Sequence, residues 1–298
     1  MANPLVSILM TSYNREKYIA ASISSVLAST YRNFELIIVD DRSADRTVEI
    51  ARSFAAQDER VKVFINDRNL GQFENRNLAA KYAQGTYLKY LDSDDLIYPA
   101  GLQTLVDMME EFPEAGYGLC SLEQDDDRIF PFILTPREAY ERHFWKGIPL
   151  FHKAPLSSII KKDVFSGIGG FTNPGGEGDY EMWLALSSAY KVVLMPHGIV
   201  WYRVHDEQID FQRRSDPALR FRYFLCTLKY LGGNCPLDPA QTKKIIRETH
   251  ISMVKYILVA FFKYSPKKAA QMYHEANYTF FDFLGKTINT CLTKLHIS

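Results

Sequence analysis

Apolar runs and helical patterns alternate along the first hundred residues of the chain. Each apolar run is short, nearly continuous and bounded by polar residues, which predicts a buried strand. The four predicted strands are Leu5–Thr11, Phe34–Asp40, Val61–Asn66 and Thr86–Leu91. Between them we predict a helix capped by Asn14, a helix that starts at Ser43 or Asp45, and a helix over Asn75–Gln84. This alternation predicts a mostly parallel sheet with helices on both faces.

The rest of the chain divides into a less regular middle and a helical tail. Helices are predicted over Pro136–Phe144 and Asp179–Ala189, and helical patterns continue from Asp216 onward. Short strands are predicted at Gly116–Gln124, Ile129–Leu134, Val192–Met195 and Ile199–Val204. We therefore expect an α/β domain over residues 1–210 and a helical subdomain over residues 211–298.

These two parts differ in charge, although the whole chain is neutral with 35 Lys/Arg and 35 Asp/Glu. Residues 215–298 carry 12 Lys/Arg and 5 Asp/Glu, a balance of +7, so residues 1–214 carry −7. Neutrality gives no reason to expect nucleic-acid binding. The basic tail is either a solvated helical subdomain or a surface with a partner of its own.

The cysteines and the apolar runs indicate in which cellular compartment the protein would be found. The four cysteines lack the spacing of a zinc site or a disulfide framework. No apolar run has the length of a membrane span, and we see no signal peptide. We expect a cytoplasmic protein.

Acidic residues cluster directly after the fourth predicted strand. Asp92 and Asp94 are two residues apart, so in extended backbone their side chains face one site, and Asp95 follows. Crowded carboxylates need compensation, and Mg²⁺ and Mn²⁺ favour such ligands together with substrate phosphates. The alternative is a solvated acidic turn. Ligands bind at the carboxyl ends of strands in such sheets, which favours a metal site.

Three other side chains are candidates at the same sheet edge, and each has an ordinary alternative. Asp41 would accept a hydrogen bond from a base or ribose, or interact with a helix N-terminus. Tyr13 would stack on a flat ring or simply pack. Arg76 would stabilise a diphosphate or orient Asp92, or be a surface charge. A glycine-rich phosphate loop is absent from the sequence, so a metal rather than a loop would hold phosphates.

Four ordered motifs resemble those of a known family. The segments VSILMTSYN at 6–14, LIIVDD at 36–41 and YLDSDD at 90–95 are similar to inverting family-2 glycosyltransferases of the GT-A fold. Residues 71–77 match the Gly…Arg-Asn stretch of that family. The resemblance covers roughly residues 4–210. It implies a Rossmann-like fold with a nucleotide-binding half followed by an acceptor half.

The resemblance implies roles for the matching residues of the nucleotide-binding half, residues 1–115. Uracil or thymine would lie against Thr11, Tyr13 and Asp41. Asp94 would be the main metal ligand, and Asp95 would assist it or point to the acceptor side. The residues implied to bind the nucleotide sugar are Thr11, Tyr13, Asn14, Asp41, Arg76, Asp92 and Asp94.

In the acceptor half, residues 116–210, the resemblance implies a catalytic base at the start of a helix. Asp179 matches the family's aspartate, whereas Gly178 replaces the usual glutamate, which leaves Glu177 as a second candidate. We favour Asp179 as the base; its alternative is a helix N-cap, and the two roles can coexist. The later Trp-Tyr-Arg-Val-His segment is similar to a family Tyr-Arg-x-His, so Arg203 and His205 are also candidates. His205 is either a metal ligand or an ordinary strand-end histidine.

We therefore expect an inverting glycosyltransferase that depends on Mn²⁺ or Mg²⁺. It would move a sugar from a UDP- or dTDP-sugar to a glycan or glycolipid acceptor in surface polysaccharide or glycoconjugate synthesis. One alternative is a non-catalytic nucleotide-sugar-binding partner on the same fold. Another is a sugar nucleotidyltransferase, although the glycine- and lysine-rich opening of that class is absent from residues 11–18. Sugar specificity would lie in the irregular segment 96–175.

The helical tail leaves three interpretations open. Residues 250–264 mix apolar residues such as Phe261 and Phe262 with Lys255 and Lys263. The first interpretation is peripheral contact with the inner membrane face, where acidic lipids would attract the lysines. A homodimer interface or a cap over the acceptor groove is the second interpretation. An internally packed helical subdomain is the third.

Overall fold

The computed structural model describes residues 3–172, 177–205 and 217–279, together with Phe283 and Gly285. The chain forms two compact units. The first comprises Met1–Ala139 and Leu150–Val204, and the second comprises Tyr140–Pro149 and His205–Ser298. The predicted domain boundary at residues 210 and 211 lies outside the described residues, as do residues 286–298 of the predicted helical subdomain. The boundary stays a prediction.

A mostly parallel sheet forms the centre of the first unit, as predicted. Its strand order is β3-β2-β1-β4-β8-β6-β9-β7, and a two-stranded ribbon pairs β10 with β5. The neighbouring strands β3, β2, β1 and β4 are parallel to one another, whereas β8 is antiparallel to both β4 and β6. The strands are β1 Val6–Ser12, β2 Phe34–Asp40, β3 Val61–Ile65, β4 Tyr87–Tyr90, β5 Leu96–Ile97, β6 Tyr117–Leu122, β7 Phe132–Leu134, β8 Ser158–Lys161, β9 Val192–Pro196 and β10 Val200–Trp201.

Helices cover both faces of this sheet. Val6, Ile8 and Met10 of β1 join a buried cluster with apolar residues of α1 and α4, because alternate strand residues share one face. Helix α3 packs on β1 and β2 but contributes no residue to that cluster, so it covers the opposite face of the sheet. The helices of the first unit are α1 Ile19–Leu27, α2 Thr47–Ala55, α3 Gln72–Tyr82, α4 Gly101–Glu110, α5 Pro136–Tyr140, α6 Lys162–Gly167 and α7 Gly178–Ala189, with α5 reaching into the second unit.

Several predicted elements need correction. Asn14 does not cap a helix, because α1 begins five residues later at Ile19. The second helix begins at Thr47, beyond both predicted starts. The helix predicted over 136–144 ends at Tyr140 and continues as a π-helical turn, Glu141–Trp145. The described part of segment 96–175, residues 96–172, is more regular than predicted, since it contains β5, α4, β6, β7, α5, β8 and α6.

The second unit is helical, with α8 Pro217–Leu231, α9 Pro239–Lys263 and α10 Pro266–Glu275. Phe221, Met253, Ile257 and Met272 bring these helices together in one buried cluster. Helix α9 begins with a capping box, in which the Asp238 side chain accepts from the backbone N–H of residue 241. Within the described residues, no helix is both long enough and apolar enough to cross a membrane.

Candidate functional site

The polar residues singled out from the sequence gather where β1, β2 and β4 end. These three strands are parallel neighbours, so their carboxyl ends meet at one sheet edge. The first turn after β1 carries Tyr13 and Arg15, the turn after β2 carries Asp41, and the turn after β4 carries the acidic cluster. Tyr13 is 48% exposed, so its ring is available for stacking and is not a packing residue.

The aspartates after β2 organise the surrounding loops. Asp40 accepts hydrogen bonds from Ser12 Oγ at 2.8 Å and from the backbone N–H of Ser43 at 2.7 Å. The Oδ1 atom of Asp41 accepts from Leu70 N at 2.7 Å, and its Oδ2 atom accepts from Gly71 N at 2.9 Å. Gly71 has a φ of +84°, a conformation that favours glycine. Asp41 therefore holds the loop before α3 next to the site.

The position of α3 decides one of the alternatives for this region. The Asp41 carboxylate lies at a helix N-terminus, because its Oδ2 atom accepts from the N–H of Gly71, the N-cap residue of α3. Asn14 is exposed and links the two loops, since its Oδ1 atom accepts from Ala44 N at 2.9 Å and its N–H donates to Ser43 Oγ at 2.8 Å. Its contribution to nucleotide binding stays a prediction.

A buried arginine joins the two functional halves of the sequence prediction. Arg76 Nη2 donates to Asp92 Oδ2 at 2.7 Å, and Arg76 Nη1 donates to Asp179 Oδ1 at 3.0 Å. The Arg76 side chain is only 3% exposed, so it is not a surface charge, whereas Asp92 and Asp179 are 28% and 26% exposed. Thr11 Oγ1 donates a hydrogen bond to Asp92 Oδ1 at 3.3 Å. The two carboxylates thus share one guanidinium and still reach solvent.

The charge of Arg76 is strongly stabilised despite its burial. Burial opposes the charged form, but Asp92 and Asp179 outweigh it and raise the pKa of the guanidinium above its usual range. The aromatic rings of Phe73 and Phe171 lie 5.8 and 5.7 Å from its carbon Cζ. Arg76 is therefore a permanent cation in a tightly packed position.

Asp94 already has a cationic neighbour. Arg15 Nε donates to Asp94 Oδ2 at 3.0 Å, with the two side chains 21% and 12% exposed. The backbone carbonyl of Asp94 accepts from Arg203 Nε at 2.7 Å. The guanidinium of Arg203 is itself held between the rings of Tyr18 and Trp201, at 5.1 and 4.8 Å. Arginines therefore surround the residue predicted to hold a metal.

Asp95 is buried and faces the backbone of the second half of the unit. Its Oδ1 atom accepts from Arg203 N at 2.9 Å. Burial and the nearby Asp92 raise the pKa of Asp95 to about 8. The Asp95 side chain therefore connects the acidic turn to the backbone of residue 203 by a hydrogen bond.

Lys89 lies in β4, shortly before the acidic turn, and was not singled out from the sequence. It is fully buried in β4, and its Nζ atom donates to the backbone carbonyls of Leu156 and Ser158. Burial lowers the pKa of its ammonium group to about 8. A lysine inside the apolar run YLKYL was the available signal, because a buried charge requires specific partners.

The remaining candidates lie at the start of α7 and in the second unit. Glu177 is buried at the N-cap position of α7, whereas Asp179 lies in the first turn and its carboxylate contacts Arg76, so Asp179 is not the N-cap. His205 belongs to the second unit, and its role as a metal ligand stays a prediction. Among the described residues, no group of three or more His, Cys, Asp or Glu side chains could hold a metal ion.

Residues 7–169, more than half of the chain, match the family model described as glycosyl transferase family 2. The UDP-Glc:alpha-D-GlcNAc-diphosphoundecaprenol beta-1,3-glucosyltransferase WfgD of Escherichia coli is 45% identical over 109 residues. That alignment covers 37% of this chain and 42% of WfgD, so the chain spans less than half of that relative.

Solved structures share the fold at low sequence identity. The structure of S. aureus TarS 1-349 in complex with UDP-GlcNAc has a TM-score of 0.68 at 18% identity, and covers 90% of this chain and 78% of that one. The mannosyltransferase PcManGT from Pyrobaculum calidifontis, in complex with GDP-Man and Mn²⁺, has a TM-score of 0.60 at 17% identity, and covers 99% of this chain and 89% of that one. At these identities the similarity establishes the GT-A fold alone.

Proposed function

The chain belongs to glycosyltransferase family 2, and from this premise we propose that it transfers a sugar from a UDP- or dTDP-linked donor to an acceptor hydroxyl. One observation carries the proposal. Arg76 connects Asp92, in the turn that would bind the donor, to Asp179, the candidate base. Both carboxylates remain about a quarter exposed, at 28% and 26%. They can therefore act on a substrate rather than serve only as internal ion-pair partners.

The donor assignment draws on the sheet edge and on the relatives. Tyr13 offers a ring to a flat base, and Thr11 lies beside Asp92. The name of WfgD specifies UDP-Glc, and the TarS structure contains UDP-GlcNAc. PcManGT binds GDP-Man, so guanine is the competing base that an experiment should include. The acceptor we propose is a glycan or glycolipid of surface polysaccharide synthesis, as the diphosphoundecaprenol substrate named for WfgD suggests.

The proposed reaction is a single displacement at the anomeric carbon. Asp179 takes the proton from the acceptor hydroxyl as the acceptor oxygen forms its bond to that carbon. The bond from the carbon to the diphosphate breaks, and the nucleoside diphosphate leaves with the electron pair. Attack from the face opposite the leaving group inverts the anomeric configuration. Arg76 would hold Asp179 in position through the hydrogen bond from its Nη1 atom.

We propose that Asp94 holds a divalent cation that binds together with the donor. The ion pair between its Oδ2 atom and the Arg15 guanidinium supports this role, because the carboxylate already has a cationic partner. Mg²⁺ and Mn²⁺ commonly use one or two carboxylates and complete their coordination with phosphates and water. When bound, such an ion would neutralise charge on the leaving diphosphate. Asp94 would hold it.

The first test is calorimetric titration of UDP, dTDP and GDP, each with and without Mn²⁺. We expect UDP or dTDP to bind more tightly with Mn²⁺, and Asp94→Ala to remove that gain because the ion loses its carboxylate. Glu111→Ala, an exposed acid at the end of α4, is the matched control and should bind like the native protein. A folded native protein that binds none of the three nucleotides would refute the proposed donor site.

A second test concerns Arg15, which competes with any ion for Asp94. We expect Arg15→Gln to bind Mn²⁺ about 2- to 5-fold more tightly in the absence of nucleotide, the range of a partly exposed ion pair. Titration followed by Mn²⁺ electron paramagnetic resonance measures this directly. Arg52→Gln on α2, which is exposed, controls for the loss of one positive charge. Equal affinities in Arg15→Gln and native protein would show that Arg15 does not compete with the ion.

A further inference from the structure

The second unit exposes an aromatic and basic surface where α9 ends and α10 begins. We define the α9–α10 patch by its apolar and basic members, which are Val259, Phe261, Phe262, Tyr264, Lys255, Lys263, Lys267 and Lys268. Phe262 is 78% exposed, and Phe261 and Tyr264 are 50% and 53% exposed. Large apolar side chains clustered at such exposure mark an interaction surface more often than a solvated one.

The patch is separate from the part of α9 that packs internally. Met253, Ile257 and Ala260 of α9 lie in the buried cluster of the second unit. Lys255, Val259 and Phe262 follow one another at intervals of four and three residues, so they form a line on the outer face of the helix. The internal packing of the helix therefore does not account for Val259 and Phe262.

The charge of the patch indicates the chemistry of its partner. Residues 249–274 contain no aspartate or glutamate, whereas they include all four lysines of the patch. Lys268 Nζ lies 5.7 Å from the centre of the Tyr264 ring, so cationic and aromatic groups are interleaved. A partner that covers the aromatic groups must also compensate several positive charges.

We propose that the α9–α10 patch binds an anionic membrane surface. Phe261, Phe262 and Val259 would insert at the boundary of headgroups and acyl chains, while the lysines contact lipid phosphates. A second copy of the chain fits less well. In a two-fold dimer the same patch would face itself, which would bring the lysines of both copies together. The proposal is independent of the donor site and would place the enzyme beside a lipid-linked acceptor.

Vesicle flotation of the full chain tests the proposal. We expect binding to vesicles of phosphatidylcholine with about one-third phosphatidylglycerol, weaker binding in high salt, and little binding to phosphatidylcholine alone. Each of Lys255→Gln and Lys267→Gln should weaken binding roughly 5-fold. Phe262→Ser should weaken it by a comparable or larger factor. The matched controls are Lys243→Gln, exposed at the other end of α9, and Ile129→Ser, 92% exposed in the first unit, and both should bind like the native chain.

Three outcomes would overturn the proposal. The first is that the native chain fails to float with anionic vesicles. The second is that the Phe262→Ser variant floats as well as the native chain. The third is that sedimentation reveals a dimer that the Phe262→Ser substitution dissociates. The third outcome would assign the patch to a second copy. UDP titration on the same variants separates this result from the donor-site proposal, because the patch variants should bind nucleotide unchanged.

Discussion

Replacing Asp179 with asparagine should lower the rate of sugar transfer about 10²- to 10⁴-fold, the usual contribution of a general base. The amide keeps the shape of the side chain and can still accept from Arg76 Nη1, but it cannot take the acceptor proton. Affinity for UDP should change little, because in the proposed site Asp179 acts on the acceptor. Single-turnover transfer and UDP titration measure the two quantities separately.

A control and a counter-result make this prediction specific. Glu177→Gln, at the N-cap of α7, replaces the other acidic candidate and should retain most of the activity if Asp179 is the base. The reverse pattern would assign the proton transfer to Glu177. Unchanged turnover in both variants would remove α7 from the proposed chemistry.

Replacing Arg76 with alanine should destabilise the first unit and also abolish transfer. The variant leaves Asp92 and Asp179 without their shared cation, and it leaves a cavity next to Phe73 and Phe171. Breaking a buried ion pair from one side costs about 3–5 kcal/mol. Because both carboxylates are partly exposed, we expect a loss near the lower end of that range. Urea unfolding measures the free energy, and the midpoint should fall without a change in slope.

Two further variants separate charge from stability. Arg76→Lys keeps the positive charge but cannot donate from two fixed nitrogens, so it should recover part of the stability and little of the activity. Arg52→Ala on the exposed face of α2 should change the free energy of unfolding by less than about 0.5 kcal/mol. An Arg76→Ala protein of native stability would show that the two ion pairs contribute little to folding.

Strands β1, β2 and β4, which end at the site, could be predicted from the sequence because nearly all of their residues are buried. Strand β2 was predicted with its observed ends, Phe34 and Asp40, and β1, β3 and β4 to within one residue at each end. Such strands read as continuous apolar runs, and the polar residues that follow them lie at one sheet edge. The positions of Tyr13, Asp41 and Asp92–Asp95 at that edge follow from this pattern.

Other elements were missed for different reasons. Helix α4 contains Leu102, Leu105, Val106 and Met109 at helical spacing, so its signal was present. Strand β8 is four residues long and lies antiparallel between β4 and β6, two strands that are distant from it in the sequence. A strand this short has too few residues to show a period of its own. Its place is decided by the two strands that it joins.

The sequence by itself determined the fold class, the succession along the chain of the strands that carry the site, and the residue types at the ends of those strands. Only the tertiary structure decided which of these residues meet. Arg76 and Asp179 are 103 positions apart, and Arg15 and Asp94 are 79 apart. Local patterns report burial and backbone preference over a few residues, whereas an ion pair depends on how distant elements pack. For that reason the acidic cluster and Arg76 could be identified from the sequence, but the ion pairs of Arg76 with Asp179 and of Arg15 with Asp94 could not.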